Sequence, residues 1–342
     1  MVRCAKVEKQ KAEKILREIK RMGLLDNHYR IERDESFVYI PLKAEGEIFI
    51  EGIGGVVERE LQRVPVRVRH YSELLSLPPE LMAQLPSSFD IVGDIAIIKL
   101  PEPLLRYEKE IGSAILKAMP SIKTVLLDEG VEGDFRIRKV RWLCGEKKSR
   151  TVHREYGLRF EVDLARAYFS PRLANERQFL CSEIQSPCVV IDMFAGTGPF
   201  SITIAKRHPE ARVYAIDKNP EAYWLLRKNI SRNSVKNVIP ICGDAAEEIK
   251  KLPEADYIIM NLPHSGENFL ESALEKLKSS GKIFLYIVAE RSGIEERVER
   301  IKARIVEAGG RAEIKFHEVH TYSPTSSVFG LVILVKASGS SP

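Results

Sequence analysis

The chain has 342 residues, 44% of them hydrophobic, too long for a single core and sufficient for two or three compact domains. No apolar run reaches the length of a membrane span, the charged start lacks a signal-peptide segment, and five scattered cysteines show neither a C-x-x-C pair nor zinc-ligand spacing. A cytoplasmic monomer with reduced thiols, no metal and no membrane contact is expected, and a net charge of +5 is too small to imply a nucleic-acid partner without a look at where the excess lies.

In chain order, "KVEKQKAEKILREIKRMGLL" places Ile15, Ile19 and Leu24 on one side of a helix ending near Gly23, and the charged segment before it is read as part of that helix. "YRIERDESFVYIPL" alternates as a hairpin turning at Asp34-Glu35-Ser36, and "GEIFIEGIGGVVERELQRVPVRVR" predicts a further strand and a short helix. Residues 1–66 are thus expected to form a small α+β domain. The Pro-rich segment 71–90 predicts two short helical turns. "IVGDIAIIKL" predicts one strand, "RYEKEIGSAILKAMPSI" a helix and "KTVLLDEG" a strand, so that residues 67–165 make a second α+β domain.

That second domain carries the charge. Residues 134–160 hold nine Lys/Arg against three acids, interleaved with Phe135, Trp142, Tyr156 and Phe160, a mixture that suits phosphate contact and base stacking. An isolated basic run of this kind is more often a solvated strand face. Arg138 and Arg154, within this stretch, are expected substrate contacts.

From about residue 187 the pattern becomes strand, helix, strand, helix to the end of the chain, with helices over 199–208, 220–233, 245–252, 266–280 and 291–308 and a closing pair of strands over 311–324 and 327–337. Apolar strands alternating with amphipathic helices predict an α/β domain over 166–342 with a doubly wound, mostly parallel sheet. Its ligands should lie at the carboxyl ends of the strands, near the switch in strand order.

The chemistry collects at those ends. "VVIDMFAGTGPFSI" is a strand, a Gly-x-Gly turn and a helix: Gly196 and Gly198 admit close backbone approach, and the helix start offers free N–H groups. A tight structural turn would look the same. Asp217 ends the next strand nineteen residues after Gly198, placed for ribose hydroxyls, and Asp244 ends the one after, placed for an adenine edge, although either could serve as a helix cap. The third glycine of a dinucleotide fingerprint is replaced by Ser201 behind Pro199 and Phe200, and the anionic Asp192 precedes the loop. Both features suit S-adenosylmethionine better than NAD. Phe194 of the loop is expected to join the cofactor contacts. "YIIMNLP" ends a strand on Asn261 and Pro263, delivering a carboxamide and rigid backbone to the reactive end of that cofactor.

"FDIVGDIAIIKLP", "AYFSPRLANER", "DMFAGTGPFSI", "YAIDKNPEA" and "MNLPHS", in this order over nearly the full length, resemble the archaeal and eukaryotic tRNA (guanine37-N1)-methyltransferases of the Trm5 family. The resemblance implies a Rossmann-type methyltransferase domain behind two smaller domains, S-adenosylmethionine as cofactor, and tRNA bearing guanine 37 as partner. It further implies Glu176 as general base, Arg136 as the donor to guanine O6, Asn261 as the group positioning guanine, and Tyr168 and Arg172 beside them. His264 and Ser265 follow the Asn-Leu-Pro at positions that vary in this family. Some archaeal relatives also methylate a wyosine precursor, imidazopurine, at C7, and a related branch transfers an aminocarboxypropyl group instead, so a bifunctional or wyosine-pathway transferase is one alternative and a non-catalytic tRNA-binding protein is the alternative from another class.

Overall fold

The computed structural model describes residues 1–43, 54–63, 68, 70–133 and 137–337. Contacts divide the chain into two units, Met1–Glu73 and Leu74–Pro342.

The first unit is a four-stranded sheet in the order β2-β3-β1-β4, built from β1 (Val2–Glu8), β2 (Glu32–Arg33), β3 (Phe37–Pro41) and β4 (Val56–Arg59), with α1 (Ala12–Arg21) packed on it. Ile15 and Ile19, one helical turn apart, bury against Ala5, Val7, Ile40 and Leu42. The helix does not begin as early as its charge pattern suggests. Residues 2–8 are a strand, because β1 lies between β3 and β4 and buries Cys4 on one face and Ala5 and Val7 among the other core residues. The hairpin turn forms at Asp34, whose carboxylate accepts from the Ser36 and Phe37 amides (2.9 and 2.8 Å) and from the Tyr39 hydroxyl (2.6 Å). Of the strand and short helix expected over 46–69, residues 54–63 form β4 and an isolated bridge from Arg63 to Tyr29, with no helix among them, and most of the rest of that stretch lies outside the described residues.

The second unit opens with the short helix α2 (Pro79–Met82) and a sheet ordered β5 (Asp90–Val92), β6 (Ile95–Ile98), β7 (Thr124–Glu132), β8 (Ile137–Gly145). The single strand expected over 91–100 is a hairpin. Gly93 adopts φ +58° there, and any Cβ would lie 2.2 Å from the Thr151 hydroxyl oxygen, so the chain turns where only glycine fits. α3 (Glu108–Ala118) then carries the chain back so that β7 runs parallel to β6. β9 (Arg150–Glu155) and β10 (Leu158–Asp163) pair through the two-residue turn Tyr156-Gly157, both at positive φ as the twist of a tight hairpin demands.

After α4 (Ala174–Glu183) comes the seven-stranded sheet: β11 (Val189–Asp192), β12 (Arg212–Asp217), β13 (Val238–Cys242), β14 (Ala255–Met260), β15 (Leu277–Glu290), β16 (Gly310–Thr321) and β17 (Ser326–Ala337), ordered β13-β12-β11-β14-β15-β17-β16. The first five strands in that order are parallel, as the doubly wound pattern predicts, and β17 runs antiparallel between β15 and β16, so that β16 points the same way as the first five. Between them run α5 (Pro199–Arg207), α6 (Pro220–Arg232), α7 (Ala245–Glu248), α8 (Leu270–Leu274) and α9 (Ile294–Glu307). One difference is local: the helix expected through residue 280 stops at Leu274. Leu277 pairs with Ala255 and Ser280 sits at φ +67°, so this stretch starts the long strand β15 across a register shift.

Candidate active site

Strand order reverses between β11 and β14, and a cleft of about 920 Å³ opens there at their carboxyl ends. The loop leaving β11 is held from both sides: the Met193 amide donates to the Ile259 carbonyl (3.0 Å) on β14 and the Ala195 amide to the Ile216 carbonyl (2.8 Å) on β12. Asp217 ties it further, one carboxylate oxygen accepting from the Gly196 amide (2.6 Å) and the other from the Asn219 amide (2.8 Å). Burial raises the Asp217 carboxyl above its ordinary value. Asp244 caps α7 through the Ala246 amide (3.0 Å) and meets the Lys218 ammonium at 3.2 Å. Capping and exposure to the cleft coexist, since Asp244 lines it together with Phe194, Gly196 and Asp217.

Two buried acceptors at the switch point have no hydrogen-bond partner: Asp192 Oδ1 at the end of β11 and Asn261 Oδ1 just past β14. An orphaned polar atom costs stability, so both point to a missing donor. The other Asp192 oxygen accepts from the Ser201 hydroxyl at 2.6 Å. Burial pushes this carboxyl up to about 7, with the Ser201 hydroxyl and the Phe194 amide pulling it back and Asp217 adding to the rise. The tip bearing Asn261 is fixed by its own backbone: the Gly266 amide donates to the Leu262 carbonyl (2.7 Å) and the Val288 amide to the Pro263 carbonyl (2.9 Å). Asn261 and Pro263 both line the cleft. A nucleoside with a cationic amino-acid tail fits this set. Asp217 and Asp244 offer acceptors to hydroxyls and an amine, Phe194 offers an apolar face, and the unpaired Asp192 oxygen offers charge to a cation.

The opposite wall comes from the segment before α4 and from β5 and β8. Arg138 and Arg172 share one buried carboxylate, Asp90, at 2.7 and 2.8 Å, and Arg138 also approaches Asp128 at 3.8 Å. Burial alone would raise the Asp90 carboxyl, but the two guanidinium groups outweigh it and hold it below its ordinary value. Tyr168, Arg138 and Arg172 line the cleft facing the cofactor-type residues. The segment carrying them is anchored by Arg177, fully buried, which pairs with Glu155 and donates to the Ser170 carbonyl at 3.3 Å. Arg177 and Asp90 both stand within the quoted motifs, but the motifs do not show that Arg177 pairs with Glu155 or that Asp90 holds two arginines.

Glu176 does not line the cleft, although Leu173 and Arg177 on either side of it do. Its carboxylate is buried and held at both oxygens: the Tyr286 hydroxyl donates to one and the His317 ring nitrogen Nε2 lies against the other, each at 2.9 Å. Gly198 and Asp192 shape the loop from behind without facing the cleft. Arg154 is exposed on β9 directly opposite Arg159 and also lies away from the cleft. Arg136 lies outside the described residues.

Comparison with known proteins follows the same division of the chain. The model of the TRM5/TYW2 methyltransferase domain matches residues 151–312, that of the TYW2 N-terminal domain residues 71–148, and that of the tRNA methyltransferase 5 N-terminal domain residues 4–50. The chain is 43% identical over 288 residues, 84% of each protein, to the tRNA (guanine(37)-N(1))-methyltransferase Trm5b of Pyrococcus abyssi. Among solved structures it is similar to the complex of aTrm5 and tRNALeu, with 30% identity, a TM-score of 0.83 and coverage of 97% of this chain and 99% of that one. It is also similar to M. jannaschii TYW2 in complex with AdoMet, with 27% identity, a TM-score of 0.56 and coverage of 73% of this chain and 100% of the other.

Proposed function

The chain belongs to the TRM5/TYW2 methyltransferase family, and from that premise we propose that Glu176, Asn261 and the arginines of the opposite wall carry out N1 methylation of guanine 37 in tRNA, with S-adenosylmethionine as methyl donor. The observation that carries the reading is the pair of unpartnered buried acceptors, Asp192 Oδ1 and Asn261 Oδ1, on the two strand ends that flank the switch point. When bound, S-adenosylmethionine supplies an electrophilic methyl group on a positively charged sulfur. Asp217 and Asp244 hold its nucleoside, and Asp192, buried behind the loop, contributes negative potential toward its cationic tail.

Guanine N1 carries a proton at neutral pH and is a poor nucleophile, so a base must remove that proton as charge moves toward O6. Glu176 is the base on the strength of the family motif: its carboxylate is the one acid on α4's first turn, buried behind Leu173 and Arg177, which line the cleft, and its role requires it to reach the purine from there. The Asn261 carboxamide hydrogen-bonds the purine edge and fixes its plane, so the base enters the site in one orientation. Arg136 donates to O6, where a guanidinium stabilises the developing negative charge. Arg138 and Arg172 stand ready for phosphate or base contacts, pre-aligned by Asp90. Tyr168, 43% exposed at the cleft, offers a ring for stacking.

The test is methylation of tRNA transcripts that carry guanine or adenine at position 37, with labelled S-adenosylmethionine and identification of the nucleosides formed. 1-Methylguanosine from the guanine transcript alone is the expected product. Tricyclic products from precursor-bearing tRNA in its place would move the chain to the wyosine branch. Binding of tRNA without incorporation of label would leave a non-catalytic protein.

A further inference from the structure

Glu176 is held by more than the catalytic proposal requires. α4 turns its carboxylate toward the sheet, where β15 supplies the Tyr286 hydroxyl and β16 the His317 imidazole, one to each oxygen. The space for this pair is made by β17: Gly330 lies directly across the ladder from His317, and a Cβ there would stand 3.0 Å from His317 Cε1, 3.1 Å from its Nε2 and 3.2 Å from Glu176 Oε1. Phe179, one turn along α4 from Glu176, packs edge-on against the imidazole with ring centroids 4.8 Å apart and fixes its plane. Four elements thus converge on one carboxylate and one imidazole.

We propose that His317 is a positioning residue that sets the basicity of Glu176, so that methyl transfer proceeds with the imidazole neutral and is suppressed when it is protonated. The inference rests on the reading of Glu176 as general base given above. A neutral imidazole donating from Nε2 orients the carboxylate and leaves its charge uncompensated, available for the N1 proton. An imidazolium places a full positive charge at 2.9 Å, and the carboxylate is then a weaker base. In the step itself the guanine N1–H bond would break and an O–H bond form on Glu176, while the N1 electron pair forms the bond to the methyl carbon and the methyl–sulfur bond breaks, its electron pair going to sulfur, which leaves as a neutral thioether; no oxidant or reductant is involved.

The surroundings allow His317 to act as this control. Its side chain is 37% exposed and exchanges protons with solvent, whereas Tyr286 is wholly buried and its hydroxyl is held far above its ordinary value by burial and by the Glu176 charge. The hydrogen bond to Glu176 raises the imidazole above its ordinary value, partly opposed by burial. Glu176 is the charged group that α4 turns toward it, and β17 presents only Gly330. On β16 the neighbour two residues away, Lys315, is spent on Glu313 at 3.7 Å. Arg177 and Asp192 act on the site through Tyr286. α9 packs on the other face of the sheet, with Ile314, Phe329 and Leu331.

The experiment is the single-turnover rate of 1-methylguanosine formation between pH 5.5 and 8.5 for wild type and His317→Gln, the glutamine keeping a donor without a titratable charge. In wild type the rate at pH 6 should fall about fourfold or more below that at pH 8, given an imidazole at or above its ordinary value. In His317→Gln the two rates should be nearly equal. An acid limb unchanged by the substitution overturns the inference and leaves the methyltransferase reading intact. A wild type that forms no 1-methylguanosine at any pH removes that reading, and the inference with it. A second readout does not depend on activity. In the protein labelled at histidine carbons, the resonance lost in His317→Gln should titrate above the ordinary range and move down in Glu176→Gln. A resonance unmoved by Glu176→Gln shows that the pair does not form in solution.

Discussion

Asp192 is the residue at which burial and the proposed action on a cationic ligand oppose each other. It is buried, one of its oxygens has no partner, and its carboxyl is pushed up to about 7. An acid whose folded value lies above its unfolded one contributes stability that is complete below about pH 4 and is lost as pH rises through the folded value. Asp192→Asn should therefore stabilise the cofactor-free protein more at pH 8 than at pH 5, by on the order of 2 kcal/mol between the two, and raise its melting temperature accordingly. With S-adenosylmethionine the sign reverses, because the cation prefers the ionised carboxylate: affinity in wild type should weaken below about pH 7 and should be low at every pH in the variant. Thermal unfolding at both pH values, with and without the cofactor, checks both halves, and an equal shift at pH 5 and pH 8 would contradict the first. Legibility at this scale followed sequence distance. The Asp34 turn, whose partners lie two to five residues away, could be read directly. His317 and Asp90 could not, because Glu176 is 141 residues from the one and Arg172 is 82 from the other. No local pattern encodes a pairing that only the sheet order creates.

The glycine loop between β11 and α5 is the element on which the cofactor side depends, and its two glycines have separable duties. At Gly198, φ is +89° and an added Cβ would stand 2.4 Å from Leu226 Cδ1 and 3.0 Å from Ile202 Cδ1, against the packed face of α5 and α6. Gly198→Ala should cost about 1–3 kcal/mol of stability and displace the start of α5. At Gly196, φ is +56° but a Cβ would meet only the Tyr168 carbonyl at 3.7 Å, on the cleft side. Gly196→Ala should lower cofactor affinity more than it lowers stability. Melting curves and cofactor titration of the two variants separate the effects, and a Gly196→Ala protein with full affinity would show that the loop does not approach the ligand. The loop, strands β11 to β14 and the helices between them were legible because each lies in a run with one unambiguous period and a glycine, proline or aspartate at its end. The misread elements were decided by pairing at a distance rather than by their own ends. Residues 2–8 carry charges that suit a helix until two neighbouring strands claim their backbone. Residues 275–280 continue a helical pattern that β14 overrides by pairing Ala255 with Leu277.

At the scale of the whole molecule, the cleft and both large cores flanking the seven-stranded sheet belong to residues 74–342, while residues 1–73 bury their own small core under α1. Among the described residues each unit thus has a core of its own, which favours folding alone. The chain shortened to residues 74–342 should keep a cooperative unfolding transition and bind S-adenosylmethionine as the full chain does. Its affinity for tRNA should fall if the first unit contributes to recognition. The salt dependence distinguishes what kind of surface that is. Residues 1–73 hold fifteen Lys/Arg against thirteen acids, so their removal takes away almost no net positive charge. If the first unit recognises tRNA by shape and by few phosphate contacts, the slope of log affinity against log salt should stay nearly the same while the whole line drops. A slope that flattens by several units would instead assign the phosphate contacts to the first unit, and an unchanged affinity would deny it a part in tRNA binding. Filter binding of one tRNA to both proteins across a range of salt concentrations reads all three outcomes.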